Sequence, residues 1–157
     1  MLRVRPSTLD DAAALAALRR FVHEPHVEAE PGVYAPLEAA RREAAMRERL
    51  ALAGVRGLVA ERDGRVVGYV LTQEAIRVAT SLTVARSYLV VEELAVDPSS
   101  RRGGVGRALM AEAEALAHRL GLPRVELEVR AWNHAAARFY AALGYTPAST
   151  RLRRDLA

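Results

Sequence analysis

The densest chemistry in the chain lies between Val91 and Gly106. There an apolar run carries two adjacent carboxylates, Glu92 and Glu93, and ends in Val96-Asp97-Pro98-Ser99-Ser100-Arg101-Arg102-Gly103-Gly104-Val105-Gly106. Three glycines in four residues let the backbone approach a ligand with no Cβ in the way, and two arginines arrive just before them. Val105, Leu109, Ala113, Leu116 and Leu120 then recur at steps of three and four, and Gly121 and Pro123 close the pattern. The spacing predicts a helix whose first turn offers unpaired N–H groups and a positive dipole end over Arg101 to Gly106, which suits phosphate. Two neighbouring carboxylates in a regular strand point to opposite faces, so Glu92 shares a face with Leu94 and Val96 while Glu93 takes the other. At least one of them is expected to be sheltered, a setting in which a carboxylate serves as a general base.

Three phosphate loops compete for this turn. A Walker loop needs lysine and then Ser or Thr after its last glycine, but Arg107 and Ala108 follow Gly106. A dinucleotide fingerprint needs a small residue where Leu109 stands and a shorter turn than Asp97 to Ser100 allows, although Glu126 or Glu128 lies at a suitable distance for a ribose carboxylate. The third pattern, [QR]-x-x-G-x-[GA], is filled by Arg101-Arg102-Gly103-Gly104-Val105-Gly106. A second block, Asn133-His134-Ala135-Ala136-Ala137-Arg138-Phe139-Tyr140-Ala141-Ala142-Leu143-Gly144-Tyr145, fills N-x-x-A-x-x-[FL]-Y-x-x-x-G-[FY]. In these two blocks, in this order, the chain resembles the GNAT superfamily of acyl-CoA-dependent N-acyltransferases.

The resemblance implies a direct N-acetyl transfer from acetyl-CoA to an amine. It places the CoA pyrophosphate on the backbone of Arg101, Arg102, Gly103, Gly104, Val105, Gly106 and Arg107. The pantetheine arm would pair like an added strand with Leu94, Ala95 and Val96, and Asn133 would touch the cofactor. Arg102 stands where the family often has glycine, and an added cation beside a pyrophosphate favours binding. Tyr140 matches the position at which the family often carries the tyrosine that protonates the departing thiolate. Glu92, or Glu93 if the strand faces the other way, would take the amine's proton, directly or through a water. The acceptor loop lies between the first two helices, where Glu24, Glu28 and Glu30 would attract an amine and Tyr34 would line its apolar part.

The elements that must position these groups follow in order. Leu2 to Arg5 reads as a strand stopped by Pro6, and Ser7 or Thr8 caps a helix burying Leu15, Leu18 and Phe21. Val22 to Pro36 holds three prolines without a clear period and reads as a loop. Within it, His23 and His26 have the spacing of a shared metal on a helix face, but with no third ligand nearby no metal is expected. Leu37 to Leu52 is a second helix. Gly57 to Arg62 and Arg65 to Gln73 form a hairpin about Asp63-Gly64, and Glu74 to Arg86 is open between hairpin and loop. Ser87 to Val96 is a buried strand, Val125 to Val129 another with Glu126 and Glu128 on a solvated face, and Thr150 to Leu156 a last strand. The expected fold is α/β (α+β): a mixed, mostly antiparallel sheet flanked by about four helices in a single domain over residues 1–157.

Composition bounds the alternatives. A chain of 157 residues, 51% hydrophobic and 5% aromatic, suits one domain with a full core. The absence of cysteine excludes disulfides, thiolate metal sites and an acyl-cysteine intermediate. No apolar run is long enough to span a bilayer and Met1 to Pro6 has no signal core, so neither a membrane partner nor export is expected and the cytoplasm is the default. The net charge of +4 comes mostly from arginine, without a nucleic-acid reader motif, so no nucleic acid partner is expected. The acceptor is a small-molecule or protein amine, and the family's habit makes a homodimer an expectation. Two rival functions remain: a CoA-binding regulatory module without catalysis, favoured if Tyr140 is buried and both strand glutamates face away, and a nucleotide-dependent oxidoreductase using Glu126 or Glu128.

Overall fold

Asp63 and Gly64, with φ of 52° and 77°, form the tight turn that their sequence demands and set the register of the sheet from Arg62 opposite Arg65. The structure, a computed structural model, describes residues 1–156. Its strands are β1 (Leu2–Pro6), β2 (Val55–Arg62), β3 (Arg65–Arg77), β4 (Arg86–Val96) and β5 (Val125–Leu127), in the spatial order β1-β2-β3-β4-β5. The first three pairings are antiparallel and β4 with β5 is parallel. The helices are α1 (Ala12–Ala29), α2 (Ala39–Ala51), α3 (Val105–Arg119) and α4 (His134–Ala142).

Helices cover both faces of the sheet. On one side Leu15 and Leu18 of α1 and Met46 of α2 pack on Val59, Tyr69, Leu71 and Ala95. On the other, Val105, Leu109, Met110 and Ala113 of α3 pack on Leu58, Ala60, Val70 and Val91, with Phe139 and Tyr140 of α4 completing the layer. Leu15 and Leu109 have no exposed surface, and full burial of one such side chain contributes about 1.5–3 kcal/mol. Gly68 brings α3 onto β3: a Cβ there would lie 2.9 Å from Ala95 O and 3.0 Å from Val105 Cγ1. Gly106 likewise admits Phe139, whose Cζ lies 3.1 Å from where a Cβ would stand.

The start of α1 follows its sequence. Asp11 accepts from Thr8 N–H at 2.7 Å and forms a two-toothed ion pair with Arg5 on β1, both contacts 2.8 Å. Its end does not, because the segment expected as a loop from Val22 continues the helix through Pro25 to Ala29. A proline inside a helix costs about 3 kcal/mol, and here tertiary contacts offset it. Glu30 at the helix end receives Arg130 and Trp132, and the His26 ring meets the Trp132 and Tyr34 rings edge to face at 4.9 and 5.0 Å.

Two other expectations are corrected and one open reading is resolved. The strand expected to end at Val129 ends at Leu127, after which Arg130 turns away to Glu30. The open segment resolves into a hairpin extended to Arg77 and Arg86 with a loop between them. Thr150 to Leu156 forms no strand: β5 offers an edge of only three residues, Arg153 instead reaches Glu30 at 3.4 Å, and Leu152 and Leu156 remain exposed.

Candidate active site

The turn expected to hold phosphate is built by two residues in the left-handed region, Arg102 (φ 61°) and Gly104 (φ 78°), the latter being the N-cap of α3. Asp97 holds the approach, accepting from Ser99 N–H at 2.9 Å and from the Ser99 hydroxyl at 2.6 Å. Arg101 N–H donates to Pro98 O at 3.3 Å and Ala108 N–H to Gly104 O at 2.9 Å. Between them, the amides of Arg102 through Arg107 have no backbone acceptor among the described residues. A run of unpaired donors at a helix N-terminus beside three arginines fits a pyrophosphate by charge and by hydrogen bonding. Arg62, from the neighbouring hairpin, adds rigidity by donating to Gly103 O at 3.1 Å.

Below this turn the sheet opens. The β4–β5 ladder has only three steps, Leu89 with Val125, Val90 with Glu126 and Val91 with Leu127. From Glu93 to Val96, β4 pairs on its β3 side alone, so the other edge, including Leu94, Ala95 and Val96, is available to an extended ligand. Asn133 is the N-cap of α4, its Oδ1 accepting from Ala136 N–H at 3.1 Å.

Glu92 and Glu93 do not face opposite ways. The β3–β4 register runs from Thr72 opposite Val91 to Leu71 opposite Glu93, which leaves Glu92 as the extra residue of a bulge. The bulge resets the alternation. Val91 and Leu94 belong to the α3 layer, whereas Glu92 meets Arg49 of α2 and Glu93 meets Arg19 of α1, so both carboxylates occupy the α1–α2 face and Glu92 is separated from Leu94 and Val96. Arg19 lies 2.5 Å from Glu93 Oε1, and the buried Tyr69 hydroxyl donates to Oε2 at 2.9 Å. Glu92 gives only Oε2 to Arg49; its Oε1 has no partner among the described residues.

Tyr140 lies on the opposite side of β4, in the α3 layer, with Phe139 and Tyr145 edge to face at 5.1 and 5.7 Å. Burial raises its pKa to about 12, and its hydroxyl has no hydrogen-bond partner among the described residues. It therefore carries its proton at neutral pH and has that proton to give. The ring keeps some exposed surface.

The expected acceptor residues divide. Glu24 and Glu28 line a cleft of about 250 Å³ with Arg19, Arg20, His23 and Arg42, and Glu24 pairs with Arg42 at 3.7 Å. Tyr34 meets the His23 and His26 rings edge to face, with the Arg130 guanidinium 5.8 Å above its ring. Glu30 serves the fold instead: it accepts from Arg130 at 2.5 and 2.7 Å and from Trp132 Nε1 at 3.0 Å, and these donors hold its pKa down at about 2. Glu126 and Glu128 pair with Arg124 and Arg130 at 3.4 and 3.1 Å. No group of three potential metal ligands occurs among the described residues.

Arg19, Arg49 and Tyr69 were not singled out by the sequence. Each helix arginine stands three or four residues after a core position, Leu15 or Met46, and a charge on that side of a helix signals a partner beneath it. The partner itself is visible only once β4 is in place.

These features agree with comparisons to known proteins. The family described as "Acetyltransferase (GNAT) family" matches residues 16–145. A ribosomal protein bS18-alanine N-acetyltransferase of Escherichia coli (strain K12) is 35% identical over 90 residues, 57% of this chain and 54% of that protein. The chain thus spans about half the length of the curated relatives it matches. Among solved structures, the tetramutant of the BH1408 protein from Bacillus halodurans has a TM-score of 0.91 at 22% identity, covering 98% of this chain and 99% of that one. An aminoglycoside N-acetyltransferase, AAC(6')-Iy in complex with CoA, has a TM-score of 0.76 at 17% identity, covering 99% and 95%. With the family match extending from α1 through the helix that carries Tyr140, the chain belongs to the GNAT family of acetyltransferases.

Proposed function

We propose that the protein transfers an acetyl group from acetyl-CoA directly to an amine. The observation that carries this reading is the run of unpaired amides from Arg102 to Arg107, continuous with the free β4 edge from Glu92 to Val96. The first suits a pyrophosphate and the second an extended amide-bearing arm, so one ligand would follow both. Arg101 and Arg102 would supply charge, and Asn133, the N-cap of α4, would touch the cofactor.

The proton transfers follow from the layers. A primary amine has a pKa of about 10 and is mostly protonated at neutral pH, so a base must free it. Glu92, with Oε1 open on the α1–α2 face, is assigned that role; both oxygens of Glu93 are already engaged. The amine nitrogen bonds to the thioester carbonyl carbon, the C–S bond breaks, and Tyr140 gives its proton to the sulfur from the α3 side. The carboxylates facing the acceptor are mostly matched by arginines, Glu92 with Arg49, Glu93 with Arg19 and Glu24 with Arg42. That balance supports an acceptor with a single amine, as on a small molecule or a protein N-terminus, rather than a polycation. We place the protein in the cytoplasm; no described helix is long and apolar enough to cross a membrane.

Calorimetric titration with acetyl-CoA, free CoA and NAD tests the cofactor, and thiol release with a panel of amines tests turnover. Micromolar acetyl-CoA binding that weakens in Arg101→Ala/Arg102→Ala supports the assignment. Absence of binding by both CoA species overturns it, and binding without turnover of any amine leaves a CoA-binding regulatory module.

A further inference from the structure

We propose that Arg49, in the last turn of α2, is the positioning residue for Glu92; the inference rests on Glu92 being the base. A bulge residue lacks a ladder partner, so its side chain needs another restraint. Glu93 has two, Arg19 and the Tyr69 hydroxyl. Glu92 has one, Arg49 on Oε2, and no other described residue bonds to its Oε1.

The other arginines of α2 serve the surface or the α1–α2 segment. Arg41 pairs with Glu38 at 3.8 Å, Arg42 with Glu24 at 3.7 Å and Arg47 with Glu43 at 3.3 Å. Arg49 alone among them reaches the sheet, across 43 residues of chain, from a helix anchored by the fully buried Met46. A guanidinium suits this role because it fixes the carboxylate's plane, stays charged, and has no proton to yield or lone pair to compete for the acetyl group. α2 thereby controls the orientation of a catalytic oxygen without touching substrate.

The test is a double-mutant cycle on the full chain, read as thiol release from acetyl-CoA with a peptide bearing an N-terminal alanine, and with water alone as the nucleophile. Glu92→Gln lowers kcat about a hundredfold as expected for loss of a general base. Arg49→Met lowers it about tenfold at unchanged acetyl-CoA affinity, Arg49→Lys recovers most of the loss, and Arg49→Met/Glu92→Gln falls no lower than Glu92→Gln alone. Losses that multiply in the double variant overturn the proposal, as does a full kcat in a folded Arg49→Met. An unchanged Glu92→Gln overturns the base assignment itself, and absence of thiol release from the parent protein with the peptide, with water and with every amine of the panel overturns the transferase reading beneath it. Melting temperatures of all variants identify any that fail to fold, in which case Arg49→Lys and its pair with Glu92→Gln complete the cycle.

Discussion

Replacing Tyr140 by phenylalanine separates chemistry from packing with one oxygen atom. The Tyr140 hydroxyl has no hydrogen-bond partner among the described residues, so its removal breaks no internal contact, and the ring keeps its place between Phe139 and Tyr145. The melting temperature should stay within about 1–2 °C of the parent, against the shift of several degrees that a loss of about 1 kcal/mol produces. The rate should not stay. General acids contribute about 10²–10⁴-fold, but this one is poorly matched to its target. With Tyr140 at about 12 and a thiol at about 8.5, donation to a free thiolate is uphill by about 3.5 units, on the order of 5 kcal/mol. Proton transfer must then accompany C–S cleavage, and the loss falls at or below the low end of that range, about 10- to 100-fold in kcat with acetyl-CoA affinity unchanged. Thiol release and calorimetry measure the two quantities. The pH profile adds a control: a group at about 12 does not titrate between pH 6 and 9, so any basic limb there persists in the variant. Full kcat in Tyr140→Phe, or a basic limb abolished by it, refutes the reasoning.

Three further outcomes are expected. Arg102→Gly relieves a left-handed non-glycine residue, so the free protein gains up to about 1 kcal/mol in urea denaturation while acetyl-CoA binding weakens about tenfold, and more so at low salt. Glu30 is held at about 2, below its usual 4.5, so its contribution is complete above pH 4.5 and is lost as pH falls towards 2. Trp132, the only tryptophan, donates to that carboxylate, and its fluorescence should titrate in this window and be flat there in Glu30→Gln; an unchanged acid transition in the variant assigns it elsewhere. Gly68→Ala sets a Cβ 2.9 Å from a backbone oxygen and should cost about 1–3 kcal/mol, seen as a lowered denaturation midpoint.

Local patterns carried most of the architecture into the sequence. Asp63-Gly64 announced its hairpin, the three- and four-residue steps from Val105 to Leu120 announced α3, and the glycines from Gly103 to Gly106 announced the left-handed turn that leads into it. What escaped was decided by contacts distant in sequence. Pro25 reads as a breaker, yet Glu30 meets Arg130 and Trp132 about a hundred residues away and keeps the helix intact. The bulge at Glu92 left no mark, since one extra residue against β3 depends on the register of the pair, and it reversed which side chains share the face of that carboxylate. Arg19 and Arg49 were not singled out, because the carboxylates they meet lie on β4, 74 and 43 residues away in the chain.

The three-step β4–β5 ladder also bears on the free protein's dynamics. Amides on the unpaired edge from Glu92 to Val96 and those from Arg102 to Arg107 lie open to solvent exchange until a ligand occupies them. The cofactor would act as a temporary sixth strand, slowing deuterium uptake across both segments together and leaving the β2–β3 hairpin unchanged. The unliganded molecule would in that sense be an unfinished sheet, whose missing hydrogen bonds the bound cofactor would supply.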